Sequence, residues 1–154
     1  FEGTTALAEM LCCNSTLTDL SLASNGLGNI GSTILANALP NFMALETLNL
    51  TLTDIGSEGT IELCRSLCYE SSKLRVLRLS KNNINFHAGS ALGRMLKKNR
   101  TLQELDLFCN DLEDEGTRML VAGLAENTSL QKLNLSYNGI GDTTVIAIAD
   151  NVLK

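Results

Sequence analysis

The chain has no tryptophan, one proline and one histidine, and phenylalanine and tyrosine together make up only 4% of it. A lone histidine, His87, leaves no Ser-His-Asp or Cys-His arrangement to assemble and reads as a surface residue. Cysteine is no substitute: Cys12, Cys13, Cys64, Cys68 and Cys109 form no CxxC pair, and with one histidine they complete no zinc site. Their odd number fits reduced thiols, and Cys64 and Cys68, four apart on one expected helix, read as two small packing groups. Neither a GxxxxGKS/T loop nor a GxGxxG turn is present, so no phosphate cradle is expected. No apolar run approaches the roughly 18 residues that cross a bilayer, and Phe1 opens no signal peptide. Positive charge is the minority sign. Twelve basic against 17 acidic residues give a formal charge of −5, which argues against a nucleic-acid surface and favours a basic partner. The expectation is one soluble unit, cytoplasmic and non-catalytic, without cofactor, metal, nucleic acid or membrane.

What the chain does have is leucine at a fixed period. LxxLxL occurs five times, as Leu17–Leu22, Leu45–Leu50, Leu74–Leu79, Leu102–Leu107 and Leu130–Leu135, at intervals of 28, 29, 28 and 28 residues. Three residues after each third leucine stand Asn25, Thr53, Asn82, Asn110 and Asn138, and two later Leu27, Ile55, Ile84, Leu112 and Ile140. Gly31, Gly59, Ala88, Gly116 and Thr144 follow as small positions, then Leu39, Leu67, Leu96, Leu124 and Val152 as large ones. The extra residue of the second unit falls in the turn Cys68–Lys73, where a loop absorbs it at little cost. Leucines two apart point to one side of a strand, and the apolar spacing after each glycine is helical. Each unit is therefore a strand, a turn and a returning helix. Ser57, Asp114 and Asp142 are expected as helix N-caps, with Glu58 and Glu115 at the positive helix end.

This pattern resembles the leucine-rich repeat family, and its period with a full helix resembles the ribonuclease-inhibitor-like class. The class includes ribonuclease inhibitor, the sensing domains of NOD-like receptors, the Ran GTPase-activating protein and tropomodulin-like actin cappers. The resemblance implies an α/β fold, a right-handed curved solenoid with a parallel β-sheet on the concave face and α-helices on the convex face. One domain over 1–154 is expected, a partial unit 1–16 followed by repeats 17–44, 45–73, 74–101, 102–129 and 130–154. Helix register at both ends and the missing polar caps read as a fragment of a longer protein.

Asn25, Asn82, Asn110 and Asn138 read as a structural ladder, since turn backbone needs both donors and acceptors and asparagine offers both. Thr53 interrupts it and predicts a weaker turn. Glycosylation sequons at Asn14, Asn49, Asn99, Asn127 and Asn134 are explained by the repeat itself. Recognition falls to the outward strand positions and the residues beside them. Arg78, Lys81, Glu104, Asp106, Phe108, Lys132, Asn134 and Tyr137 are the candidates. Strand spacing of about 4.8 Å sets Arg78 beside Asp106 and Glu104 beside Lys132. Phe108 finds no core on that side, and with Tyr137 and Arg78 it gives the aromatic-plus-arginine mixture of binding hot spots. The class resemblance implies a protein ligand gripped on this face. Two alternatives stand beside it. One is GTPase activation of the Ran-activator type, although nothing marks Arg65, Arg94, Arg100 or Arg118 as an arginine finger. The other is self-association through uncapped ends, where Val145, Ile146, Ile148 and Val152 lack a next neighbour.

Overall fold

The computed structural model describes residues 2–68 and 72–152. Five strands, β1 (Asp19–Ser21), β2 (Thr47–Asn49), β3 (Val76–Arg78), β4 (Glu104–Asp106) and β5 (Lys132–Asn134), lie in one parallel sheet in chain order. The helices are α1 (Glu2–Cys13), α2 (Gly28–Ala38), α3 (Gly56–Leu67), α4 (Gly89–Lys98), α5 (Glu113–Leu124) and α6 (Asp142–Val152). Each strand pairs with its equivalent in the next unit, so Leu48 faces Leu77 and Leu77 faces Leu105. This is an α/β solenoid with the sheet as its inner face.

The repeat positions account for the core. Leu48, Leu77 and Leu105 are fully buried beneath the sheet, Leu50, Leu79 and Leu107 beside them, and Leu67 and Leu96 come from the helices, with Leu39 from the 3-10 turn that follows α2. Burying a leucine contributes about 1.5–3 kcal/mol, so this regular column supplies the main stabilisation. Leu20 and Leu133 in the outer strands, and Leu22 and Leu135 just after them, are only half-buried. Between Cys68 and Lys73 the turn that takes the extra residue includes 69–71, which lie outside the described residues, as does the side chain of Val152.

The N-cap expectation is corrected. Helices α3 and α5 start one residue earlier than Ser57 and Asp114, and their capping positions, Ile55 and Leu112, make no side-chain cap bond. Ser57 and Asp114 sit inside the first turn and reach across to the next unit instead. The Ser57 hydroxyl donates to Asn85 Oδ1 at 2.8 Å and accepts from the Asn85 N–H at 2.9 Å. Asp114 Oδ1 accepts from the Gly141 N–H at 2.9 Å. Asp142 is the first residue of α6. Glu58 and Glu115 do lie in first turns, where the helix dipole favours them.

Helix spacing follows residue size. A Cβ on Gly89 would lie 2.5 Å from the Gly116 carbonyl oxygen, and one on Gly123 would lie 2.7 Å from the Gly93 Cα, so α4 and α5 meet backbone to backbone. At the positions of α3 and α4 that correspond to Gly93 and Gly123 stand Cys64 and Met95, both buried. Those two helices pack far less extensively on each other. In that same unit the turn departs from pattern: Phe86–Ala88 forms a single 3-10 turn, and α4 begins only at Gly89.

Candidate functional site

The outward strand residues form rows across the sheet, set by the register. Arg78 is opposite Asp106 and Glu104 opposite Lys132, as expected. The ion pairs nevertheless converge on one carboxylate. Arg78 Nη2 reaches Glu104 Oε1 at 3.1 Å, diagonally, and Lys132 Nζ stands 3.7 Å from Glu104 Oε2. Asp106 is engaged elsewhere, because its Oδ1 accepts from the Phe108 N–H at 3.1 Å. Asn134 does the same for the Ser136 N–H at 3.1 Å, and Asn49 for Thr51 at 3.0 Å. These strand-exit residues thus satisfy backbone donors where the ladder of the sheet stops. Asp19, at the far edge, accepts from the Thr18 hydroxyl at 2.7 Å. Hydroxyls of Thr18 and Thr47 hold its carboxyl below the ordinary carboxylate value.

Phe108 is half-buried rather than bare, because Tyr137 covers it edge-on, with ring centroids 5.3 Å apart and planes at 70°. Tyr137 is 79% exposed. It belongs to a row with Ser24, Leu52, Lys81 and Cys109, one residue from each unit, and all five have φ between 55° and 61°. No glycine occupies that left-handed position, which costs an ordinary residue about 1–2 kcal/mol. The backbone N–H groups of Ser24, Leu52, Lys81 and Cys109 donate to carbonyls of the next unit at 2.9 Å, which fixes the row. Beside it runs a groove of about 640 Å³ lined in part by Leu52, Asp54, Lys81, Asn83 and Cys109.

The asparagines behind this row are internal. Asn110 Oδ1 accepts from the N–H groups of Asn82 and Ile84 at 2.9 and 3.1 Å, and its Nδ2 donates to Leu79 and Leu107 carbonyls. Asn82 and Asn138 repeat the arrangement on their own neighbours, and all three are buried. Asn25 is exposed and donates to Leu22 and Ala23 carbonyls within its own turn. The Thr53 hydroxyl donates to the Leu50 carbonyl at 2.6 Å and lies 3.3 Å from Asn82 Oδ1 of the next unit, but having one oxygen and no amide it does not span a neighbouring turn as Asn82 and Asn110 do.

Sequence reasoning missed a second ladder on the opposite edge. Asn99 Oδ1 accepts from Thr101 and Leu102 N–H groups at 3.0 and 2.7 Å while its Nδ2 donates to the Leu67 carbonyl; Asn127 does likewise, reaching Leu96. Asn14 makes the accepting half. Their recurrence as sequons was the available signal.

Other candidates are ordinary. His87 Nδ1 lies 3.0 Å from Asn85 Oδ1 with its ring stacked on Phe86, at the surface. Burial pushes the Cys64 thiol far up, with Cys68 adding to it. All five cysteines are free. Arg65 pairs with Glu62 at 2.8 Å, and Arg100 donates to the Lys97 carbonyl at 2.8 Å. Val145 and Ile146 are exposed on α6, while Ile148 packs against the core. No helix among the described residues is long and apolar enough to cross a membrane.

The model for the Leucine Rich repeat matches residues 13–31, 43–64, 70–92, 98–121 and 126–149. The chain belongs to the leucine-rich repeat family. NACHT, LRR and PYD domains-containing protein 12 of Mus musculus is 38% identical to this leucine-rich repeat chain over 115 residues, 74% of the chain and 11% of the relative. Ribonuclease inhibitor of Mus musculus is 33% identical over 110 residues, 71% of the chain and 24% of the relative. The chain thus spans about a tenth of the first relative's length and about a quarter of the second's. Among solved structures, leiomodin-1 actin-binding site 2 superposes with a TM-score of 0.75 at 17% identity, covering 99% of this chain and 89% of that one. The tropomodulin C-terminal domain of Caenorhabditis elegans gives 0.65 at 20%, covering 99% and 90%. Both share the solenoid fold.

Proposed function

We propose that this leucine-rich repeat segment is a non-catalytic recognition scaffold of a larger cytoplasmic protein, and that it holds a protein ligand on its concave sheet and the adjoining row. The carrying observation is the Phe108–Tyr137 pair, with Tyr137 79% exposed, beside the Arg78–Glu104–Lys132 cluster. An exposed aromatic anchored by a second ring, flanked by charges already oriented by one another, loses little freedom on binding. Lys81 and the groove next to it extend the surface toward the turns. Asp106 and Asn134 contribute by holding the strand exits in shape. Ribonuclease inhibitor and an actin-binding site among the similar proteins, by their names, also engage proteins.

A photoreactive phenylalanine at position 137, compared with one at Met119 on the helical side, tests the reading in cells of the source. Adducts with a discrete protein at 137 that disappear with Phe108→Ala are expected. Equal adducts at both positions, or none at 137, would overturn it.

A further inference from the structure

The grooves between helices differ in sign. Between α2 and α3 the lining includes Glu58 and Glu62. Between α3 and α4 lies a groove of about 370 Å³ with Ile61, Cys64 and Ala91 for its apolar lining and Arg65, Arg94 and Lys98 for its charged one. Arg65 is compensated by Glu62, whereas Arg94 and Lys98 form no ion pair among the described residues. Three cations therefore gather around an aliphatic floor on a chain whose formal charge is −5. Cations near helix C-termini complement the helix dipole, but that effect asks nothing of an apolar groove beside them.

The groove is a product of the fold. Glycine pairs draw α4 onto α5, and Cys64 and Met95 stand where α3 and α4 would otherwise close. Arg94 and Lys98 are four apart, so they lie one turn from each other along the same face of α4, and Arg65 faces them from α3. The charges are strung along the groove instead of meeting at a point. That spacing suits several carboxylates carried on one chain, with an aliphatic side chain between them, better than one compact anion.

We propose that the α3–α4 groove binds a short acidic peptide segment of a partner protein, with an aliphatic side chain on Ile61 and Ala91 and flanking aspartates or glutamates on Arg65, Arg94 and Lys98. The site lies on the helical side, independent of the concave face, and its ligand has the sign opposite to the one that net charge alone favours. Arginine binds carboxylates bidentately, which makes Arg94 the leading contact.

Selection of a library of short randomised peptides against the intact chain tests this, with a representative winner measured by fluorescence anisotropy. Peptides rich in aspartate and glutamate around one aliphatic residue are expected. Their affinity falls with salt, and by about tenfold or more in the Arg94→Glu/Lys98→Glu variant. A Lys81→Glu/Lys132→Glu variant on the concave face leaves it unchanged. Both helix residues are exposed, and Arg94→Gln/Lys98→Gln, with circular dichroism on each variant, separates lost charge from lost fold. Winners without acidic enrichment, winners that bind the double variant equally well, or winners lost with the concave variant would overturn the proposal.

Discussion

The α4–α5 and α3–α4 interfaces are built by the same repeat, yet one closes to backbone contact and the other leaves a groove. Their strands are spaced alike by hydrogen bonds, so the difference arises on the helical side alone. Glycine at Gly93 and Gly123 removes the side chains that would hold the helices apart, and Cys64 with Met95 keeps them. A solenoid therefore has a rigid inner period and an adjustable outer one, set by pairs of residues about one unit apart.

Filling the tight interface should have the largest effect. Gly123→Val places a branched side chain against the Gly93 backbone, and a loss of about 3–4 kcal/mol is expected from overpacking, read as a fall in the denaturation midpoint. An unchanged midpoint would mean that α4 and α5 are free to separate. Next come the turns that lead into the two helices on either side of α4. Asn110→Ala, before α5, strips partners from two N–H groups and two carbonyls and should cost about 2–3 kcal/mol. Thr53→Ala, before α3, removes one hydroxyl that bonds to the Leu50 carbonyl and, more weakly, to Asn82 Oδ1, and should cost about 1 kcal/mol. Equal losses would show that the ladder carries no load between units.

Smaller still is the glycine control. Gly3→Ala in α1 has nothing within 4 Å to meet and should gain about 0.5 kcal/mol through helix propensity, with the sign opposite to that at Gly123. The smallest effect concerns the α5–α6 contact at low pH. The Thr144 hydroxyl and the Gly141 N–H hold the Asp114 carboxyl below its ordinary value of 3.8. A depressed folded pKa gives stability that is complete above that value and is lost as pH falls through the lower one. Asp114→Asn should flatten this acid limb in a thermal melt series while leaving the slope near neutral pH unchanged.

Much of this architecture was legible in the residues. LxxLxL every 28 or 29 residues specified the five strands and their register, and an asparagine three residues on, threonine in one unit, specified the turn, because both depend on local spacing. The helix starts were less legible: Ser57 and Asp114 have cap chemistry, but their neighbours in the next unit use it. Glu104 as the meeting point of Arg78 and Lys132 was hidden for a similar reason, since Asp106 was already committed to the Phe108 backbone. The α3–α4 groove could not be read from either helix separately, because it depends on what α4 prefers on its other side.

The row of left-handed residues has a consequence for how such a surface can change over time. Most unbranched side chains meet a similar backbone penalty at Ser24, Leu52, Lys81, Cys109 and Tyr137, asparagine and aspartate a smaller one and β-branched residues a larger one, and the bonds that hold the row run through main-chain atoms. Exchanging one unbranched side chain of this row for another, except at Tyr137 whose ring packs on Phe108, leaves the folding free energy nearly where it was. The row can thus be rewritten unit by unit, and a new ligand can be acquired by point substitutions that the rest of the solenoid does not register.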